Sequence, residues 1–245
     1  MNQILESFPR WGRYSEFKYF VIINLPQNLQ YQTFSAIQSF FMAMALRPEV
    51  QKKAQEELDK VIGNRLPEFN DRPNLPYISA MVKESLRWQP VVPLGMSSIY
   101  RLVLALIDPA VPHMATEADE YNGYYIPKGT IIIGNSWWAR LYCLVHSFIQ
   151  ALPRSILHDP GTYDDPFIYD PGRFLKDETI DPSVRDPTVA AFGYGRRICP
   201  GRFLAENTLF IFICHIMTVY DIRPGLGDDG KELEIKPEMT NGLLS

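Results

Sequence analysis

The sequence is poor in the residues that build metal clusters, disulfide frameworks and nucleic-acid surfaces. Its 245 residues include 3 cysteines and 4 histidines, without a Cys-x-x-Cys pair or a metal-ligand spacing, so neither a disulfide framework nor a zinc site is expected. Lys and Arg number 24 against 28 Asp and Glu, a net charge of −4, so no polyanion-binding surface is expected. No uninterrupted apolar run reaches the roughly 18 residues of a membrane span.

One cysteine lies in a glycine-bracketed loop, residues 192–201, of sequence FGYGRRICPG. Gly195 and Gly201 predict backbone angles and a close approach that a Cβ would obstruct, and Pro200 suits the first turn of a helix. Apolar residues then recur every three to four positions, at Phe203, Leu204, Leu209, Phe210, Ile213 and Ile216. Cys199 is therefore predicted at a helix N-terminus, where the helix dipole favours the thiolate. The alternative is an ordinary half-buried thiol.

This loop resembles the haem-ligand signature of the cytochrome P450 family, Phe-x-x-Gly-x-Arg-x-Cys-x-Gly, at every specified position. The resemblance implies that Cys199 is the axial thiolate ligand of haem b, iron protoporphyrin IX. It also implies that Phe192, Arg197 and Gly201 belong to the cofactor-binding set. His113 falls where the resemblance implies a haem-propionate contact, although a plain loop histidine is the alternative.

Two further segments, KESLRW and YDPGRF, carry the same resemblance. Glu84 and Arg87 lie three apart on one face of a predicted helix, a weak motif alone because a surface pair contributes only about 0.2–0.5 kcal/mol. In the second segment, Gly172 stands where a glutamate is common in the family. The resemblance implies a structural triad of Glu84, Arg87 and Arg173 behind the haem loop, with the carboxylate held ionised between two guanidinium groups.

The fold class expected from these segments is mainly α with a small β-region, the C-terminal half of the P450 fold. Pro48 and Gly63 bound a predicted helix, and Asn122-Gly123 predicts a two-residue hairpin. The whole sequence, 1–245, is expected to be a partial P450 domain. It is family-like from about residue 33 and truncated relative to a complete member, without the membrane anchor.

Two apolar insertions, 97–111 and 138–155, interrupt the resemblance. Their scattered arginines and apolar character differ from the polar composition of a surface loop. Our hypothesis is that both are retained introns translated in frame; the alternative is that they are genuine loops. Cys143 falls inside the second insertion, and Cys214 falls on the apolar helix after the haem loop. Unpaired cysteines favour a reducing compartment.

A different departure concerns oxygen activation, for which the family uses an acid–alcohol pair on its long central helix. Alignment with that segment places Tyr31 over the acid and Gln32 over the alcohol, and Thr33 falls one position on, about 100° around the helix. Trp88 and the Tyr124-Tyr125 pair are expected to pack rather than to recognise substrate.

The resemblance implies a monooxygenase that oxidises a small apolar secondary metabolite, a terpenoid or polyketide, in a fungal biosynthetic pathway. It implies NADPH-cytochrome P450 reductase as partner, no nucleic acid, and the cytosolic face of the endoplasmic reticulum, with the cytoplasm as the alternative for a chain without an anchor. Two alternatives stay open. One is a truncated, catalytically inactive remnant without stable haem binding, and the other is a free-standing haem carrier.

Overall fold

The structure is a computed structural model, and it describes residues 5–9, 27–91, 113–132, 156–227 and 230–235. Its α-helices within these ranges are α1 (Gln27–Leu46), α2 (Pro48–Val61), α3 (Pro76–Trp88), α4 (Thr188–Ala191) and α5 (Arg202–Val219). Its strands are β1 (Leu5–Pro9), β2 (His113–Met114), β3 (Asp119–Tyr121), β4 (Tyr124–Ile126), β5 (Ile131–Ile132), β6 (Leu175–Lys176), β7 (Thr179–Ile180) and β8 (Tyr220–Pro224).

The strands form antiparallel pairs rather than one large sheet. The pairs are β1 with β8, β2 with β5, β3 with β4, and β6 with β7. Helices therefore supply most of the regular structure, and the prediction of a mainly α fold with a small β-region is confirmed. The proposed insertions 97–111 and 138–155, together with Cys143, lie outside the described residues.

Helix α2 has the boundaries that the sequence predicts. It begins at Pro48, and Gly63 follows its last turn with a positive φ of 65°, a backbone angle that glycine adopts without steric cost. Its buried apolar positions, Val50, Ala54 and Leu58, recur at the spacing of one helix face.

The main core lies between α1, α2, α3 and α5. Aromatic rings join α1 to α5, because Phe40 and Phe212 meet edge to face with their centroids 6.3 Å apart. Fully buried side chains of this core are Phe40, Ala43, Met44, Ala54, Leu75, Ile78, Met81, Phe210, Ile213, Cys214 and Met217. Burial raises the pKa of Cys214 well above its usual range, so it is a packed apolar group and not a reactive thiolate.

Strand β8 is held on both edges. On one edge Gln51 of α2 acts as a substitute strand: its Nε2 donates to the Ile222 carbonyl at 3.2 Å, and its Oε1 accepts from the Ile222 amide at 2.8 Å. On the other edge β8 pairs with β1, with Pro9 opposite Tyr220 and Leu5 opposite Pro224. The backbone groups of successive strand residues point to opposite edges, and those of Ile222 point toward Gln51. Pro224, two residues further on, therefore points away from β1, and Pro9, opposite Tyr220, points away from β8. The N–H that each proline lacks is not needed for the pairing of β1 with β8.

The N-terminus of α3 is capped by a neighbouring helix. Its N-cap residue, Leu75, has no side chain that can cap. Glu57 of α2 instead accepts hydrogen bonds from the amides of Tyr77 and Ile78, at 2.8 Å and 3.0 Å. Two of the four otherwise unsatisfied first-turn amides are therefore bonded through tertiary contact.

The predicted hairpin is confirmed. Asn122 and Gly123 join β3 to β4 with φ values of 50° and 81°, as a type I′ turn requires. The expectation that Tyr124 and Tyr125 pack is wrong for the described residues, where they are 76% and 72% exposed. The short hairpin turns both rings outward.

Candidate functional site

The cysteine loop is closed by its own backbone. The Cys199 amide donates to the carbonyl of Phe192 at 2.8 Å, and the Ile198 amide donates to Gly195 at 3.2 Å. Gly195 has a φ of 58°, in the left-handed region that disfavours a Cβ. The chain therefore reverses direction in a tight turn and presents the thiol on a hydrogen-bonded loop.

Helix α5 follows this loop, with one difference from the prediction. It begins at Arg202 with Gly201 as N-cap, so Pro200 precedes the cap instead of lying in the first turn. The Cys199 carbonyl accepts from the Arg202 amide at 3.4 Å and links the cysteine to the helix start. The sequence predicts that a Cβ at position 201 would be obstructed, but no such obstruction exists among the described residues. The φ of Gly201 is −83°, and a Cβ would lie 3.8 Å from the Cys199 Sγ, an ordinary contact.

Of the other candidate cofactor-binding residues, Phe192 and Arg197 lie in the cysteine loop and His113 lies in β2. Phe192 is half-buried and packs against the main core, whereas His113 lies in β2 with its backbone opposite Ile132. Arg197 closes the short 3-10 turn Gly195–Arg197. The side chains of His113 and Arg197 lie outside the part of the chain that the structure describes.

The structure brings Glu84, Arg87 and Arg173 into direct contact. Arg87 forms a bidentate ion pair with Glu84, with its Nε 2.7 Å from Oε2 and its Nη2 2.8 Å from Oε1. Arg173 donates from Nε to Glu84 Oε1 at 3.2 Å, and the Asp170 amide donates to the same oxygen at 2.8 Å. Glu84 and Arg87 are fully buried, so this is not the solvated surface pair that the isolated motif suggests.

The two arginines also bind the backbone of the segment 157–168. Arg87 Nη1 donates to the carbonyls of Leu157 at 2.9 Å and Pro166 at 2.8 Å, and Arg173 Nη2 donates to Ile168 at 3.1 Å. The fully buried guanidinium of Arg87 needs such a set of acceptors, whereas the Arg173 side chain is 8% exposed. The cluster therefore holds the segment 157–168 in place, although this segment has little secondary structure.

His158 and Trp88 complete this cluster. The His158 Nε2 lies 3.1 Å from the Trp88 carbonyl and donates to it, while the Trp88 indole donates to Phe167 at 2.8 Å. Burial, followed by the positive charge of Arg87, lowers the pKa of His158 to about 3. Trp88 is buried against Tyr169, with ring centroids 5.6 Å apart, so the expectation that it packs is confirmed.

A second set of contacts, outside the triad, leads toward the cysteine loop. Lys83 of α3 forms an ion pair with Asp186. Asp186 Oδ1 accepts from the Thr188 amide at 2.9 Å and from its hydroxyl at 2.7 Å. The buried Tyr163 donates to the Arg185 carbonyl at 2.9 Å. An Asp-x-Thr turn is recognisable in sequence, but its lysine partner is not.

Comparison with known proteins identifies the family. The profile of the Cytochrome P450 family matches residues 32–141 and 147–242, most of the chain. The chain belongs to the cytochrome P450 family. It is similar to Cytochrome P450 monooxygenase COX2 of Coprinopsis cinerea, with 46% identity over 205 residues, covering 83% of this chain and 33% of the relative.

Two further relatives extend this similarity among fungi. Cytochrome P450 monooxygenase CLM2 of Gibberella zeae is 43% identical over 87% of this chain and 34% of the relative. O-methylsterigmatocystin oxidoreductase of Aspergillus flavus is 40% identical over 87% of this chain and 33% of the relative. The chain thus spans about a third of the length of the curated relatives that it matches.

The residues of the loop fit a haem-thiolate. Cys199 is a half-buried sulfur donor without a disulfide, and the described part of the chain holds no group of three or more His, Cys, Asp or Glu that could bind a metal ion. Phe203 and Leu204, on the first turn of α5, are 64% and 53% exposed. A single sulfur donor followed by exposed apolar side chains suits a haem iron better than it suits a bare metal ion.

Proposed function

We propose that this chain carries the haem-thiolate site of a cytochrome P450 monooxygenase, with Cys199 as axial ligand of haem b. The observation that carries the proposal is the loop of residues 192–201, closed by the Cys199–Phe192 hydrogen bond and followed directly by α5. When bound, haem with an axial thiolate supplies iron-based activation of oxygen.

The remaining residues of the proposed site hold the cofactor or support its loop. Arg197 and His113 would pair with the haem propionates, and Phe192 and Gly201 are the two ends of the loop. The buried cluster of Glu84, Arg87 and Arg173 is a structural triad in this proposal, supported by its shared bonds to the backbone of 157–168. These bonds hold the segment that leads to the cysteine loop.

The substrate in this proposal is a small apolar secondary metabolite, a terpenoid or polyketide. Support comes from the relatives, which are fungal monooxygenases, and from the name of O-methylsterigmatocystin oxidoreductase. Electrons would come from NADPH-cytochrome P450 reductase at the cytosolic face of the endoplasmic reticulum. Within the described ranges only α5 is long and apolar enough to cross a membrane by composition, and 33% of it is buried inside the protein.

The domain proposal is a family-like region from about residue 33 to 245, with 97–111 and 138–155 as translated intron sequence. The family match is interrupted between residues 141 and 147, inside the second stretch, but it runs without a break through the first stretch. A transcript that retains both stretches after splicing in every clone would contradict the domain proposal.

The second candidate function is a catalytically inactive remnant. It is supported by the sequence of α1, where Tyr31 and Gln32 stand at the positions of the family's acid–alcohol pair. Neither side chain can serve as the carboxylic acid or the small alcohol that proton delivery uses. In this alternative the chain has neither turnover nor stable haem binding.

The experiment that separates these candidates is the ferrous carbon monoxide difference spectrum after haem reconstitution, compared with Cys199→Ala. We expect a thiolate-type Soret band that the substitution abolishes. Cys214→Ala is the matched control, because that thiol is fully buried in the core and its loss leaves the band in place. Absence of haem binding, or a band indifferent to Cys199, would support the remnant.

A further inference from the structure

Two adjacent residues that precede the cysteine loop, Arg185 and Asp186, are connected to α3 or to the cluster beside it. Lys83 precedes Glu84 on α3 and forms the ion pair with Asp186. Tyr163 lies under the Arg87 guanidinium, with 5.3 Å from the guanidinium carbon to the ring centroid, and its hydroxyl donates to the Arg185 carbonyl at 2.9 Å. Both tethers thus begin in or beside the buried cluster.

We propose that Asp186, held by Lys83, is a positioning residue for Cys199. The proposal rests on the proposed function only in that Cys199 is the haem ligand. Asp186 contacts no cofactor in this scheme and acts through α4 and Phe192. Neither it nor Lys83 belongs to the loop signature or to the triad.

The connection from Asp186 to the thiol is short and consists of hydrogen bonds. Asp186 accepts both bonds from Thr188, the first residue of α4, and its own carbonyl accepts from the Val189 amide at 3.2 Å. Helix α4 ends at Ala191, and the next residue, Phe192, accepts the Cys199 amide. A displacement of Asp186 therefore moves the acceptor that closes the cysteine loop.

The charge of Asp186 is available for this role. Although burial raises the pKa of its carboxyl, the bonds from Lys83 and Thr188 hold that pKa below its ordinary value. Burial also raises the pKa of Tyr163 to about 12, which keeps its hydroxyl protonated as a donor to Arg185. At neutral pH both tethers are in their bonding forms.

Asp181 provides a matched control on the same segment. Its Oδ1 accepts from the Ser183 amide at 2.8 Å and from the Ser183 hydroxyl at 2.6 Å, the same local turn that Asp186 makes with Thr188. None of the described ion pairs of α3 involves Asp181. Asp181→Ala therefore removes the turn without removing a tether to α3.

The experiment is amide hydrogen exchange of the full chain without haem, followed at peptides covering 192–201 and, as internal reference, α2. For Asp186→Ala and Lys83→Met we expect exchange within 192–201 to be about five- to tenfold faster, the ratio expected for loss of one hydrogen bond of ordinary net strength, with α2 unchanged. Lys83→Arg should keep the protection, and Asp181→Ala should leave 192–201 as in the unsubstituted chain.

After reconstitution, Asp186→Ala should also convert part of the thiolate-type Soret band into a thiol-type band. Equal acceleration in α2, equal effects of the two aspartate substitutions, or no effect of Lys83→Met would each overturn the proposal. If the unsubstituted chain binds no haem, the proposed function fails, but the exchange comparison still decides whether Asp186 positions the loop.

Discussion

At the scale of single residues, the buried Glu84 carboxylate is the group on which most contacts converge. It accepts from two guanidinium groups and from the Asp170 amide. Its removal would leave Arg87 buried and charged without a counterion. A buried ion pair adds little when intact, but an uncompensated buried charge is expensive.

We therefore expect Glu84→Ala to lower the free energy of unfolding by about 3–5 kcal/mol, measured by urea titration of the purified chain. Glu56→Ala is the control, because Glu56 pairs with Lys52 at 3.9 Å on the surface of α2, with side chains 63% and 78% exposed. That change should cost less than about 0.5 kcal/mol. Similar losses for the two variants would contradict the role given to Glu84.

His158 makes stability depend on pH in a definite direction. Its pKa in the folded protein is about 3, below the ordinary 6.5, because burial and Arg87 disfavour the charged ring. Between these values the unfolded chain binds more protons at this position than the folded chain, so the free energy of unfolding falls as the pH falls. Above about pH 6.5 the ring is neutral in both states and contributes no slope.

His158→Gln should flatten the acid limb of a stability-versus-pH curve between about pH 3 and 6.5, by up to about 1.4 kcal/mol per pH unit. The comparison is His215→Gln, since His215 also bonds a carbonyl, that of Pro67 at 3.1 Å, but is half-buried. Thermal unfolding at several pH values measures both slopes. An unchanged acid limb in His158→Gln would show that this ring does not set the slope.

At the scale of elements, α2 acts as a hub between α3 and β8. Glu57 caps the first turn of α3, and Gln51 supplies the two hydrogen bonds that a neighbouring strand would supply to Ile222. Ile222 is 2% exposed, so water cannot replace Gln51 there.

Gln51→Met keeps the side-chain volume and removes both bonds. We expect the free energy of unfolding to fall by about 2–4 kcal/mol, because two buried backbone groups lose their partners. Gln55→Met should cost less, since Gln55 donates to the carbonyl of Tyr220 at 3.2 Å and to the carboxylate of Asp221 at 2.9 Å, and both partners are half-buried and within reach of water. Urea titration of the two variants gives the order, and the reverse order would refute the substitute-strand role.

The same elements mark where sequence-based prediction succeeds and where it stops. Helix α2 and the β3–β4 hairpin are predictable because Pro48, Gly63 and Asn122-Gly123 carry signals confined to a few neighbouring positions. The bond between Gln51 and Ile222 joins residues 171 positions apart, and no local pattern distinguishes such a glutamine from one on the surface. The Lys83–Asp186 pair escapes prediction for the same reason.

At the scale of the whole molecule, the cytochrome P450 signature is arranged around one scaffold. Helix α3 carries Lys83, Glu84 and Arg87, and α5 follows the cysteine loop and packs with α3 in the main core. The motifs are predictable singly from sequence. Their common support is not, because it depends on contacts from α2 and from 157–168.

The pairing of β1 with β8 has a consequence during synthesis. These strands are separated by on the order of 200 residues, so at ribosomal rates of about 5–20 residues per second β1 waits roughly 10–40 s before its partner exists. Throughout that interval its amides and carbonyls form an open edge. Neighbouring ribosomes on one message would bring such edges together, and the competition between β8 and another nascent chain would influence the yield of correctly folded protein.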